Sequence, residues 1–286
     1  MNVLSVQSHV AYGYVGNRAA VFPLQRLGFE VWAVNTVQFS NHTGYGSWTG
    51  EVFSAEHVRK VIDGIFQRVE PAACDAVLSG YLGDADLGEG ILETVSKVRA
   101  ARGDAIYACD PVMGDVGRGI FVRPGIPEFM RERALPAADI VIPNQFELEL
   151  LTGHKVSTLE TALSAARAVQ ARGPKIVVIT SLRHERTPDD TIQMLAVSPE
   201  GAWLVSTPFL PLEPPPNGAG DAVTALFLAH YLKSNRSVPE ALSGMAAAIY
   251  EVIATTNAAG TRELQFIAAQ EGLVRPRRSF TAEPVT

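Results

Sequence analysis

The chain is predicted to be an α/β protein with a doubly wound, mostly parallel central sheet, helices on both faces and an antiparallel edge hairpin. Short β-branched runs alternate with longer stretches of helical period, the rhythm of strand–helix–strand units. Most of those runs are apolar on both faces, as strands covered from each side must be. With 286 residues and 47% hydrophobic content, the chain can also bury a large core. No repeat, low-complexity linker or composition break divides it, so residues 1–286 read as one domain whose last ~10 residues form a polar, flexible tail.

The first strand is expected over Val3–Val6, followed by a helix over Gly16–Leu27. Strands over Val31–Val37, Ala76–Leu78, Ala105–Cys109, Asp139–Ile142 and Lys175–Thr180 follow, each a β-branched or apolar run. Between them the helical period recurs over Ala55–Val69, Glu89–Ala101, Pro124–Arg133, Phe146–Leu151 and Leu159–Ala171. The rhythm then changes: Gln193–Val197 and Gly201–Val205, separated by three residues, read as a hairpin at the sheet edge. A proline run leads into a helix reaching about Leu232, and a long apolar helix spans Pro239 to Ala258.

Composition narrows the partners. A net charge of −6 with scattered Lys and Arg leaves no nucleic-acid footprint. The two cysteines, Cys74 and Cys109, lie in or beside apolar strand-like runs without metal or redox spacing, so a buried reduced pair and a cytoplasmic protein are expected. No stretch has the length of a membrane span, and the start lacks a secretory pattern.

Ligands of such sheets bind outside the carboxyl ends of the strands, so the turns there carry the chemistry. Asn217-Gly218-Ala219-Gly220-Asp221 opens the helix after the prolines. Side-chain-free residues at a helix N-terminus let unpaired amides approach an anion, and a carboxylate in the same turn is either a helix cap or a base. From local sequence the two are evenly matched. Earlier turns are rich in small polar residues: Gln7 to Asn17, which holds Ser8 and a possible helix cap in Asn17, Gln38 to Gly46, and Ser79 to Gly83, which holds Tyr81. Asp110 begins a flexible, glycine-rich segment with the composition of a lid. Asn144 and Glu147 have the spacing of a capping box, a sufficient local reason for both. Asp110 and Glu147 together would supply two oxygen ligands for Mg2+ held mostly through waters and phosphates. The common P-loop, dinucleotide, zinc-protease and hydrolase signatures are absent.

Asn144 and Glu147 followed some way on by Gly218-Ala219-Gly220-Asp221 resemble the ribokinase-like superfamily. Within it, the segments Gln7 to Asn17, Gln38 to Thr43, Leu78 to Gly83 and Asp110 to Gly114 are similar to those of pyridoxal kinases. The resemblance implies transfer of the γ-phosphoryl group of ATP to the 5′-hydroxyl of pyridoxal, in vitamin B6 salvage. It makes Asp221 the base and the Gly218, Ala219 and Gly220 amides the anion hole. Ser8, Thr43, Gly44 and Tyr81 join Asp221 around the pyridine ring. Asp110 and Glu147 serve the ATP phosphates and Mg2+, while Ile142, Thr180, Thr207, Pro208, Phe209 and Leu210 line the nucleotide side. A homodimer is implied, and a monovalent cation is left open. Thr180 stands where some relatives carry a lysine, and no cysteine follows the Asp110 segment. Another ribokinase-like kinase acting on a hydroxymethylpyrimidine or a sugar, or a non-catalytic pyridoxal-phosphate-binding protein, are the competing expectations.

Overall fold

The computed structural model describes residues 1–286. Twelve strands form: β1 Asn2–Val10, β2 Glu30–Phe39, β3 Gly50–Val52, β4 Ala76–Ser79, β5 Ile106–Cys109, β6 Gly114–Asp115, β7 Gly119–Ile120, β8 Ile140–Val141, β9 Ile176–Leu182, β10 Thr191–Ser198, β11 Gly201–Pro208 and β12 Glu283–Val285. All but β6 and β7 join one ten-stranded sheet in the order β12-β11-β10-β9-β8-β5-β4-β1-β2-β3. The strands from β9 to β2 in that order pair in parallel, and the antiparallel pairs lie at the two flanks. The predicted hairpin is β10-β11, paired from Thr191 with Pro208 to Ser198 with Gly201.

The helices are α1 Asn17–Arg26, α2 Ala55–Phe66, α3 Ala85–Ala101, α4 Ile126–Phe129, α5 Leu135–Ala137, α6 Gln145–Thr152, α7 Leu159–Gln170, α8 Ala219–Lys233, α9 Val238–Ala259 and α10 Gln270–Val274. They bury the sheet from both sides. One core cluster joins α1, α8 and α9 to residues such as Val3, Leu78 and Val178. The other joins α2, α3, α6 and α7 to the alternate residues Leu4, Val77 and Val177. Successive strand residues point to opposite faces, which is why both sets must be apolar. No helix is long and apolar enough to cross a membrane, and Cys74 and Cys109 are buried and free.

Several local expectations change. The polar C-terminal segment is not a flexible tail: β12 pairs antiparallel with β11, Ala202 opposite Val285 and Leu204 opposite Glu283, because the sheet edge offers unpaired backbone groups to it. Ser8 and His9 lie within β1, which runs on beside β2 through a register shift between Gln7 and His9. Asn17 caps nothing. It is 1% exposed, and its amide bridges β1 and β2, accepting from Ser5 Oγ at 2.7 Å and donating to Val34 O at 3.0 Å. The lid-like segment folds back on itself as the β6-β7 ribbon. The helix expected over Pro124–Arg133 is interrupted by a π turn, Met130–Ala134, just before Pro136, whose missing N–H cannot bond to the carbonyl four residues back.

Candidate active site

The parallel strands β1, β4, β5, β8 and β9 end on one side of the molecule, the crevice side of a doubly wound sheet. β10 reverses direction and β11 reverses again, so Thr207 and Pro208 return to the same side. The helix α8 starts there too.

Gly218 is the N-cap of α8 with φ 83°, and no side chain caps the helix. A Cβ on Gly218 would lie 1.7 Å from the Tyr14 carbonyl oxygen, so only glycine fits where the loop after β1 presses on this turn. Gly220 differs, because a Cβ there would meet no protein atom within 4 Å. Its open side faces outward from the first turn of α8, where the amides of Ala219 and Gly220 lack helical acceptors.

Asp221, the third residue of α8, is half-buried and does not cap its own helix. Burial raises its pKa to about 6, against the pull of the Gly16 N–H beside it. Asp110, at the end of β5, is 5% exposed, and burial followed by the charges of Glu147 and Asp221 pushes its carboxyl well above the usual range. The Thr224 hydroxyl, one turn beyond Asp221, pulls Asp110 the other way.

Glu147 is buried at 3% exposure and completes the expected capping box with Asn144. Its Oε2 accepts from Asn144 N at 2.9 Å. Its Oε1 accepts from Met113 N at 2.9 Å and Gly114 N at 3.5 Å. The cap of α6 therefore also fastens the segment after Asp110. Burial outweighs these bonds and lifts the Glu147 pKa to about 8. Three carboxyls thus gather with little to neutralise them, an arrangement that a bound cation and its ligands would relieve. No set of three or more His, Cys, Asp or Glu side chains is arranged to hold a metal ion unaided.

On one flank, Ser8 is buried, and Gly16 passes so close that a Cβ would lie 2.1 Å from the Ser8 carbonyl oxygen. Thr43 and Gly44 lie on an exposed 3-10 turn, capped by His42 Nδ1, which accepts from Gly44 N at 3.0 Å. Tyr81 is half-buried after β4, its carbonyl accepting from Thr36 Oγ1 at 3.2 Å. On the other flank, Thr180 forms a parallel bridge with Asn144, its N–H donating to Pro143 O at 3.0 Å. Ile142 is 2% exposed and belongs to the core at the end of β8. Thr207 is buried, Pro208 and Leu210 are half-buried, and the exposed Phe209 ring carries the Arg183 guanidinium 4.9 Å from its centroid. Pro211 to Asn217 then link this flank to the glycine turn, with Pro214 and Pro215 exposed.

Two contributors escape sequence reasoning. Thr224 lies in an apolar helical run and reads as core, yet its buried hydroxyl lies beside the Asp110 carboxyl, too poorly aligned for a regular hydrogen bond. Gly16 reads as loop flexibility, and its use as a donor toward Asp221 depends on a contact made only in the fold. The signal available for Gly16 was its place in the glycine-rich segment after β1; Thr224 gave none.

The model of the family described as phosphomethylpyrimidine kinase matches residues 26–265. Pyridoxal kinase PdxY of Rubrobacter xylanophilus is 59% identical over 286 residues, covering 100% of this chain and 98% of the relative. The Deinococcus radiodurans pyridoxal kinase PdxY is 54% identical over 288 residues, covering 99% and 96%. Among solved structures, pyridoxal kinase from Leishmania donovani in complex with ADP and pyridoxamine superposes with a TM-score of 0.92 at 30% identity, covering 100% of this chain and 99% of that one. With the ribokinase-like sheet and the glycine turn at its crevice, these likenesses establish that the chain belongs to the pyridoxal kinase family, within the wider phosphomethylpyrimidine kinase group.

Proposed function

We propose that the protein transfers the γ-phosphoryl group of ATP to the 5′-hydroxyl of pyridoxal, giving pyridoxal 5′-phosphate and ADP. The observation that carries this reading is Asp221: a carboxylate in the first turn of α8 that caps nothing, beside a glycine whose open side no protein atom fills. The family's members, including one bound to ADP and pyridoxamine, support the choice of substrates.

In this mechanism Asp221 accepts the proton of the 5′-hydroxyl as its oxygen bonds to the γ-phosphorus, and the bond from that phosphorus to the β,γ-bridging oxygen breaks. The amides of Gly218, Ala219 and Gly220 stabilise charge on the transferring group. Ser8, Thr43, Gly44 and Tyr81 hold the pyridine, while Thr180 and the Thr207–Leu210 segment lie along the nucleotide, with Ile142 packing beneath. Asp110, with lone pairs free, and Glu147, through water because amides engage both its oxygens, would hold Mg2+, which when bound would supply charge neutralisation at the phosphates.

Family membership extends the reading to a single-domain, cytoplasmic homodimer serving vitamin B6 salvage, with a monovalent cation as a further activator to be tested by omission. The second reading, favoured by the description of the matching family model, is a hydroxymethylpyrimidine kinase. Turnover of pyridoxal, pyridoxine, hydroxymethylpyrimidine and ribose with Mg-ATP decides between them. Preference for pyridoxal supports the first reading, and preference for the pyrimidine replaces it.

A further inference from the structure

The turn after α9 reaches back across the whole sequence to grip the exposed segment that carries Thr43 and Gly44. Arg262 Nη2 donates to the Gly44 carbonyl at 3.0 Å, and the Arg262 guanidinium lies 4.0 Å from the Tyr45 ring centroid. The next residue, Glu263, takes the Tyr45 hydroxyl on one oxygen at 2.5 Å and the Tyr14 backbone N–H on the other at 3.1 Å. Glu263 also lies against Gly13, where a Cβ would come 2.4 Å from its Oε2. One turn therefore ties together the loops after β1 and β2.

The grip has a firm base. Leu264 and Phe266, which follow directly, are each 0% exposed in the core, and Phe266 packs edge-on against Tyr14 at 5.0 Å. Residues 43 to 50 are exposed, and their other ties are the edge contact of Tyr45 with Tyr12 at 6.1 Å, Trp48 beside Phe39 at 6.2 Å, the His42 cap, the β3 pairing and contacts within Ser40 to Thr49. The side-chain partners of Arg262 and Glu263 are Gly13, Tyr14, Gly44 and Tyr45, none of them in the acidic cluster or the nucleotide flank.

We infer that Arg262 and Glu263 are positioning residues for the alcohol substrate: they hold Thr43 and Gly44 at a fixed distance from Ser8 and the loop after β1, and so set the affinity for the pyridine half alone. The inference rests on the proposed placement of pyridoxal between those two loops. A clamp made of a cation over a ring, a charged hydrogen bond and a shared carboxylate restrains a loop that would otherwise be ordered only on binding.

The test is steady-state kinetics on the full chain carrying Arg262→Ala, Arg262→Lys or Glu263→Ala, with amide hydrogen exchange of residues 40–46 measured alongside. We expect Arg262→Ala and Glu263→Ala to raise the KM for pyridoxal on the order of tenfold, with the KM for ATP unchanged and kcat within about twofold. Arg262→Lys, which keeps the cation and one donor, is expected to recover most of the loss. Exchange at residues 40–46 should quicken in both alanine variants. An unchanged pyridoxal KM, or an equal rise in the ATP KM, overturns the inference. A wild-type protein that phosphorylates hydroxymethylpyrimidine and not pyridoxal overturns the substrate reading instead. The same KM comparison on the pyrimidine then decides the role of the clamp.

Discussion

Gly218 and Tyr14 touch so closely that a single methyl group between them would sit 1.7 Å from the Tyr14 oxygen, whereas two residues on, Gly220 faces open space. One glycine is held by the protein and the other leaves room for something that is not protein.

Substituting each separates the two roles. Gly218→Ala forces a side chain into a left-handed conformation and a backbone clash, and should destabilise by about 2 kcal/mol or more, lowering the thermal midpoint by several degrees. Gly220→Ala lies in a helix and should leave stability unchanged or raise it by up to about 1 kcal/mol. Its methyl group should nonetheless cut kcat on the order of tenfold or more by obstructing the phosphoryl group. Thermal melts and turnover of both variants check the split; full activity in Gly220→Ala contradicts the anion-hole assignment.

Asp221→Asn should lower kcat roughly 10²–10⁴-fold, the span of general-base catalysis, with the KM for both substrates near wild type. Near-normal turnover would remove Asp221 from the chemistry.

Because Asp221 must be ionised to accept a proton and burial raises its pKa to about 6, kcat/KM should fall as pH drops through about 6, approaching tenfold per unit below it. A profile flat down to pH 5, in enzyme shown by circular dichroism to be folded, would assign the proton transfer elsewhere.

Asp110 has a folded-state pKa raised above its unfolded value of 3.8. Between those two values the native state holds more protons than the unfolded one, so this group's contribution to stability falls as pH rises. Asp110→Asn should therefore raise the thermal midpoint of the ligand-free protein at pH 7.5 by a few degrees, while depressing turnover on the order of tenfold or more. A lower midpoint would mean that Asp110 is held by partners that stabilise its charge.

The order of strands and helices was legible because period and apolarity are local properties, and β4, β5 and α7 fall within a few residues of expectation. Asp110, Glu147 and the glycine turn stood out as candidates by their place at strand ends, although local explanations were strong: a cap matched a base for Asp221, and the capping box alone accounted for Glu147. Glu147 shows that one of those explanations can hold at the same time: it is a cap and it belongs to the acidic cluster. What stayed hidden depends on distant pairing. Nothing local distinguishes Glu283–Val285 from a solvated end until β11 lies beside it. Asn17 looked like a cap because its bonds to Ser5 and Val34 exist only once β1 and β2 are neighbours. The grip of Arg262 on Gly44 spans 218 residues of sequence and leaves no periodic trace.

The two strands that finish the sheet are each three residues long, β3 at one border and β12 at the other. A sheet ten strands wide would otherwise end in two long rows of unpaired amides and carbonyls, templates for recruiting other chains. Here each border is short and carries a charge, Glu51 on one and Glu283 on the other, and Pro284 removes a donor from the second. Two tripeptides outside the acidic cluster thus shorten the borders that this sheet offers for pairing with another chain.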